Sequence, residues 1–188
     1  IIDKFSPKLL IGLTATPERM DGTSLLPDFD NKISAEIRLP KALDEGLLTP
    51  FQYYCISDNT DLTDEDLWQN GRNGKYIVSK LSERLCKSER TNLIIDRLSY
   101  YLADEHKCKA LCFCTDKKHA EYMSSQFNES GLKADYLISD NSDERERLNK
   151  ELEEGKINYL FVVDMFNEGV DIPSIDTVMF LRPTESLT

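Results

Sequence analysis

Residues 110–138 read ALCFCTDKKHAEYMSSQFNESGLKADYLI, and the order of apolar and polar runs along them indicates the fold class. It opens on an apolar run, residues 110–114, which has the length and composition of a buried strand. Thr115 or Asp116 can then cap a helix, and Gly131 can end it. Three apolar residues recur at helical spacing between them: Ala120, Met123 and Phe127. A second apolar run closes the stretch, so the pattern predicts a strand, a helix and another strand.

The same alternation continues on both sides of this stretch. A helix is predicted to begin with Ser88 as its cap, and its apolar face holds Ile94, Leu98, Tyr101 and Leu102. The charged residues 142–154 predict a solvated helix, since Leu148 and Leu152 lie four apart. Apolar runs at 159–163 and 177–181 predict further strands. Strands alternating with helices predict an α/β fold with a mostly parallel sheet covered on both faces.

The first part of the chain is less regular. Residues 8–13 predict a buried strand, residues 35–39 and 51–56 predict further strands, and residues 41–46 predict one or two helical turns. Residues 18–30 have the glycine, proline and aspartate content of a loop. The polar, acidic stretch 57–75 predicts a linker or a mobile insertion.

Length and composition favour a soluble globular protein. The chain has 188 residues, of which 40% are hydrophobic, and this is enough for a packed core. No apolar run approaches the roughly 20 residues that a membrane helix needs, and residues 1–4 lack the pattern of a signal peptide. We therefore expect a cytoplasmic protein with no membrane partner.

The cysteines favour a reduced core. There are five, an odd number, and Cys108, Cys112 and Cys114 lie in or beside one apolar run. Because Cys112 and Cys114 alternate along a strand, both should point to one face of the sheet. Small core residues are the favoured interpretation over metal ligands, and no metal site is predicted.

The net charge of -11 argues against an extended, non-specific nucleic-acid surface, because lysine and arginine dominate phosphate contacts. A narrow groove can still hold one strand through backbone amides and a few side chains. Acidity therefore lowers the expectation of nucleic-acid binding without removing it.

A first candidate site is the stretch LIGLTATPER at residues 10–19. Its apolar strand would deliver Thr14 and Thr16 to the carboxyl edge of a sheet, where ligands bind in open α/β folds. Two threonines separated by one residue face the same way and can bridge to carboxylates or to a partner lobe. Taken alone, the stretch fits equally a threonine-rich strand end before a proline turn.

A second candidate site is DMFNEGVDIP at residues 164–173, directly after the predicted strand 159–163. Gly169 would let the backbone approach a bound group, and Asp171 can accept hydrogen bonds from sugar hydroxyls. Taken alone, this segment also fits a surface loop with an ordinary glycine turn.

The order of TATP, LCFCTD and EGVDIPS resembles motifs III, IV and V of superfamily 2 helicases, and the variants are most similar to the bacterial DEAD/DEAH-box and type III restriction-like branch. The resemblance covers nearly the whole chain except residues 57–88. It implies two RecA-like lobes that clamp ATP and a nucleic-acid strand between them. Residues 1–50 would be the tail of the first lobe, 51–91 a linker or insertion, and 92–188 the second lobe, truncated before motif VI.

The resemblance also implies roles for single residues. Thr14 and Thr16 would couple nucleotide state to lobe closure, and Gly169 and Asp171 would touch the nucleotide. The residues implied along the nucleic-acid backbone, with DNA favoured over RNA, are Thr115, Val163 and Asp164. Many relatives have threonine in place of Val163, so a contact there would use backbone amides alone. Arg145 matches an arginine common in the family, although a solvated salt bridge explains it equally.

The groups that hydrolyse ATP are not recognisable in this sequence. A motor needs a phosphate-binding loop with its lysine, an acidic pair for Mg²⁺ and an arginine finger. GRNGKY at residues 71–76 has too few residues between its glycines, and the acidic pairs at 44–45 and 64–65 follow no apolar strand. We expect ATP and Mg²⁺ to bind the full-length protein and not the fragment, which would be inactive. The alternative is a non-catalytic scaffold or protein-interaction module that retains a RecA-like lobe.

Overall fold

The structure, a computed structural model, describes residues 7–14, 23–69, 75–163 and 172–183. The chain divides into two compact units. Unit 1 comprises Ile1–Ile56 with Thr184–Thr188, and unit 2 comprises Ser57–Pro183.

Unit 2 is built on one parallel sheet. Its strands are β1 (Ala110–Phe113), β2 (Ala134–Leu137), β3 (Tyr159–Val162) and β4 (Thr177–Phe180). They lie in the order β2-β3-β1-β4, and each neighbouring pair is parallel. The predicted α/β class and all four strands of the second half are confirmed.

The helices among the described residues are α1 (Leu39–Asp44), α2 (Val78–Leu85), α3 (Ser88–Tyr101), α4 (Lys117–Glu129) and α5 (Arg145–Glu153). Short 3₁₀ helices occupy Leu26–Phe29, Glu65–Leu67 and Ser139–Glu144. The helix predicted from Ser88 is confirmed, but its predicted cap is wrong. Lys87 is the extended residue before the helix, no side chain caps it, and Ser88 is the first helical residue.

The strands alternate between two cores, one on each face of the sheet. On the first face, strand residues pack against α3 and α4; the members include Leu98, Cys112, Cys114, Met123, Phe127, Tyr159 and Phe161. On the second face they pack against α5, with Leu111, Leu148, Leu152, Leu160 and Val162 among the members. Every residue of β3 is buried, as a central strand covered on both sides requires.

The ends of α4 follow the chemistry that the sequence predicts. Asp116 is the cap, and its carboxylate accepts the backbone N–H of His119 at 2.8 Å. Gly131 follows the helix at φ +83°, a backbone conformation that side chains with a Cβ rarely adopt. The helix thereby leaves the sheet edge just after β1 and returns the chain to β2.

Buried cysteines confirm the core interpretation. Cys112 and Cys114 have no exposed surface and share one core, as their alternation predicts. Burial raises the pKa of the Cys108 thiol to about 11, so it stays protonated at neutral pH.

Unit 1 departs from the predicted secondary structure. The described parts of the predicted strands 8–13, 35–39 and 51–56 form no strand; Leu9, Ile11 and Leu13 are exposed. An apolar run forms a buried strand only beside neighbouring strands, and no described residue of unit 1 supplies such a partner. The helical turns predicted at 41–46 are present as α1, shifted toward the amino end.

The segment predicted as linker, residues 51–91, is divided differently by the structure. Its residues from Ser57 onward belong to unit 2, where Leu67, Leu81 and Leu85 are buried. The apolar residues of this segment are few and lie among polar ones, so the sequence pattern did not predict that they would be buried. Across the described residues, no helix is long and apolar enough to cross a membrane.

Candidate functional site

The carboxyl ends of three strands meet at one edge of the sheet. Phe113 at the end of β1 pairs with Val162 of β3 and with Phe180 of β4. The Cys114 N–H donates to the Val162 carbonyl at 2.9 Å, and the Leu181 N–H donates to the Phe113 carbonyl at 3.0 Å. Residues just beyond these strands therefore leave the sheet side by side.

The turn after β1 is held by hydrogen bonds from two directions. The Thr115 N–H donates to Nδ1 of His119 at 3.3 Å, so the first residue of the turn is tied to the first turn of α4. The Ser82 hydroxyl of α2 donates to the Asp116 carboxylate at 2.7 Å. Ser82 and His119 are both buried, with 1% and 0% of their surfaces exposed.

Arg90 in the first turn of α3 fixes the neighbouring strand end. Its Nε donates to the Asp58 carboxylate at 2.7 Å, and its Nη2 donates to the Leu181 carbonyl at 3.1 Å. The side chains of Arg90 and Asp58 are only 12% and 24% exposed. Burial acts to raise the pKa of Asp58, but hydrogen bonds from Thr60 and the charge of Arg90 outweigh it and lower the pKa below 3.8.

Three buried polar atoms around this turn have no hydrogen-bond partner among the described residues: Nη1 of Arg90, Oγ1 of Thr115 and Nε2 of His119. An unpartnered buried polar group costs about 1–3 kcal/mol, so their concentration at one turn needs an explanation. Burial, reinforced by the charge of Arg90 and opposed by that of Asp116, lowers the pKa of His119 from 6.5 to about 4. The ring is therefore neutral at pH 7.

The structure brings two of the predicted site residues together. Thr115 and Val163 follow adjacent strands at the carboxyl edge of unit 2. The partly buried side chain of Val163 packs against the core beneath α3 and α4, so it is not free to contact a ligand. Thr14 is exposed in unit 1, and Arg145 is the half-buried first residue of α5. Thr16, Asp164, Gly169 and Asp171 lie outside the described residues.

The acidic pairs at 44–45 and 64–65 lie at the ends of helices. Asp44 ends α1, and Asp64 accepts the Asp66 N–H at the start of a 3₁₀ helix. Asp64 also pairs with Arg84 at 2.7 Å. Within the described ranges, no group of three histidine, cysteine, aspartate or glutamate side chains could hold a metal ion.

Sequence reasoning missed Ser82, Arg90 and His119. For His119 a signal exists, because it lies four residues before Met123 and eight before Phe127, on the helix face already predicted as buried. Ser82 and Arg90 gave no such signal, since their partners lie far away in the sequence.

The parallel sheet and the polar turn at its carboxyl edge define an α/β lobe, and in open α/β folds ligands bind at this edge. The model of the family described as "Helicase conserved C-terminal domain" matches residues 90–188. The chain belongs to this helicase family, and the superfamily 2 resemblance is confirmed.

Curated relatives agree with this assignment. The chain is 26% identical over 178 residues to IRC3 of Saccharomyces cerevisiae, named as an ATP-dependent helicase, with 94% of this chain and 25% of that protein covered. It is 35% identical over 170 residues to UvrABC system protein B of Kosmotoga olearia, covering 80% of this chain and 24% of that protein. The chain thus spans about a quarter of the length of these relatives.

Among solved structures, the Hef helicase domain of Pyrococcus furiosus superimposes with a TM-score of 0.41 and 21% identity. The match covers 53% of this chain and 19% of that one.

Proposed function

We propose that this chain supplies the second lobe of an ATP-dependent nucleic-acid motor, and that the turn after β1 lies along the backbone of the bound strand. The observation on which this rests is the pairing of β1 with β3, because Thr115 and Val163 each lie within two residues of the ends of these adjacent strands at the carboxyl edge. Membership of the helicase family supports the same assignment.

The chemistry at this edge suits a local contact better than a broad charged surface. Among the described residues the Thr115 hydroxyl has no hydrogen-bond partner, and backbone amide groups near Val163 would add to a contact with phosphate. Asp58 offsets the charge of Arg90, and the whole chain has a net charge of -11. Oγ1 of Thr115 is shielded from solvent, so a phosphate would reach it only after the shielding groups move. We favour DNA as the strand, because the motif variants resemble the restriction-type branch.

The nucleotide part of the proposal rests on the family and on the resemblance, since Gly169 and Asp171 lie outside the described residues. ATP with Mg²⁺ would supply the energy for lobe movement in the complete polypeptide. This chain by itself would neither hydrolyse ATP nor unwind a duplex, because the sequence has no recognisable phosphate-binding loop or acidic pair.

The test is strand-stimulated ATP hydrolysis by the complete polypeptide that includes this sequence. Thr115→Ala should raise the single-stranded DNA concentration for half-maximal stimulation about fivefold, because it removes one hydrogen bond worth about 1 kcal/mol. Thr177→Ala is the matched control, since Thr177 is the first residue of β4 and lies where the strands begin, away from their carboxyl ends. Equal DNA requirements for both variants would refute the contact.

A further inference from the structure

His119 holds two consecutive residues of the turn after β1. Its side chain accepts the Thr115 N–H at Nδ1, and its own backbone N–H donates to the Asp116 carboxylate. Because Nδ1 acts as an acceptor in a neutral ring, the ring proton is on Nε2. One histidine thus fixes the direction in which the chain leaves β1.

Two further hydrogen bonds hold the elements on either side of the turn. Ser82 holds the Asp116 carboxylate from α2, and Arg90 holds the Leu181 carbonyl at the adjacent end of β4. The turn therefore lies between α4, whose cap is held by Ser82, and the end of β4, which is held by Arg90. The hydrogen bond from the Thr115 N–H to His119 is the contact that sets the position of Thr115 itself.

Packing alone does not account for a histidine at this position. A leucine of similar volume would fill the same fully buried space, and its own side chain has no polar atom that would need a partner. Histidine instead leaves Nε2 without a described partner, which is unfavourable. What histidine provides and leucine does not is the Nδ1 acceptor for the Thr115 N–H.

We propose that His119 is a positioning residue for the nucleic-acid contact of Thr115. Its Nδ1 fixes the backbone of Thr115 and so sets the position from which the hydroxyl would meet a phosphate of the strand once the shielding groups have moved. This inference rests on the proposed function, because it concerns the same contact.

The first test replaces His119 in the complete polypeptide and measures ATP hydrolysis against single-stranded DNA concentration. His119→Leu removes the acceptor and should raise the half-maximal DNA concentration about fivefold, with kcat nearly unchanged. His119→Asn places an amide oxygen close to the position of Nδ1 and should restore most of the affinity. His106→Asn, at an exposed histidine, is the control and should match wild type.

The second test combines variants, because a residue that acts through Thr115 has no effect once the Thr115 hydroxyl is gone. His119→Leu in a Thr115→Ala background should therefore add less than twofold to the DNA requirement. Full additivity, or a His119→Leu variant equal to wild type, overturns the positioning role and leaves the Thr115 contact standing. A Thr115→Ala variant equal to wild type overturns the contact and this inference with it.

The third test needs no variant and so does not depend on the folding of His119→Leu. The ¹⁵N chemical shifts of the His119 ring in the complete polypeptide at pH 7.5 should show an unprotonated Nδ1 and a protonated Nε2. The opposite tautomer, or a doubly protonated ring, overturns the proposal, because Nδ1 could then not accept the Thr115 N–H.

Discussion

Lowering the pH should destabilise unit 2 through His119. Burial, reinforced by the charge of Arg90, lowers the pKa of this ring from 6.5 to about 4 in the folded protein. Between these two values the unfolded chain binds a proton that the folded chain does not. The stability that the neutral ring contributes is therefore complete above pH 6.5 and is lost as the pH falls toward 4.

The size of the effect follows from the pKa difference. Since one pKa unit corresponds to about 1.4 kcal/mol, the full loss is about 3 kcal/mol, and about 2 kcal/mol of it falls between pH 7.5 and pH 5.0. The range from pH 7.5 to pH 5.0 stays above the isoelectric point of about 4.7. At the isoelectric point the net charge is zero, which promotes aggregation.

Urea unfolding of the 188-residue chain measures this loss. The single tryptophan, Trp68, lies in unit 2 against the Tyr76 ring, so its fluorescence reports the unfolding of that unit. His119→Asn should lack the His119 part of the pH dependence, while His106→Asn should keep it. Carboxylates that titrate in the same range affect all three proteins alike. If the wild type and His119→Asn lose stability equally between pH 7.5 and pH 5.0, the reasoning about His119 is wrong.

Two further predictions concern the packing of unit 2. Asp58→Ala should lower its unfolding free energy by about 2 kcal/mol at pH 7, because the mostly buried Arg90 guanidinium loses a charged partner at 2.7 Å. The difference in unfolding free energy between Asp58→Ala and wild type should shrink as the pH falls below about 4, because Asp58 then becomes protonated and loses its interaction with Arg90. Urea titrations of both proteins at pH 7 and below pH 4 measure this difference. Phe127→Ala should cost about 4 kcal/mol, because this buried ring meets two aromatic rings at 5.0 Å. Phe180→Ala, at a residue 69% exposed, should cost less than about 1 kcal/mol in the same assay, and equal losses would contradict the assigned core.

The parallel sheet of unit 2 could be predicted because each of its elements is signalled locally. Apolar runs of four to five residues gave the strands, and Gly131 marked where α4 ends. The strand order depends on which strands pair, and spacing along the chain does not specify that. The adjacency of Thr115 and Val163 thus came from the resemblance and from the structure.

The wrong strand predictions in unit 1 share a physical cause, which is that a strand depends on partners distant in sequence. The apolar run 8–13 has the composition of a buried strand, yet Leu13 is 95% exposed. Hydrophobicity shows that a segment favours burial, and a strand still needs neighbours to pair with. His119 was not predicted as a site residue, although it lies on the helix face that the sequence predicts as buried, because its hydrogen bond to Thr115 is visible only in the structure.

The boundary of the second lobe follows from the same distant contacts. The family match begins at residue 90, but the compact unit begins at Ser57. Residues before the match supply Asp58, which pairs with Arg90, and Ser82, which holds the cap of α4. A polypeptide beginning at residue 92 would lose both contacts, because it would lack Ser82, Asp58 and Arg90. The turn that we assign to strand binding would then keep His119 and lose the hydrogen bonds on either side of it, and for this reason we propose that residues 57–91 belong to the second lobe.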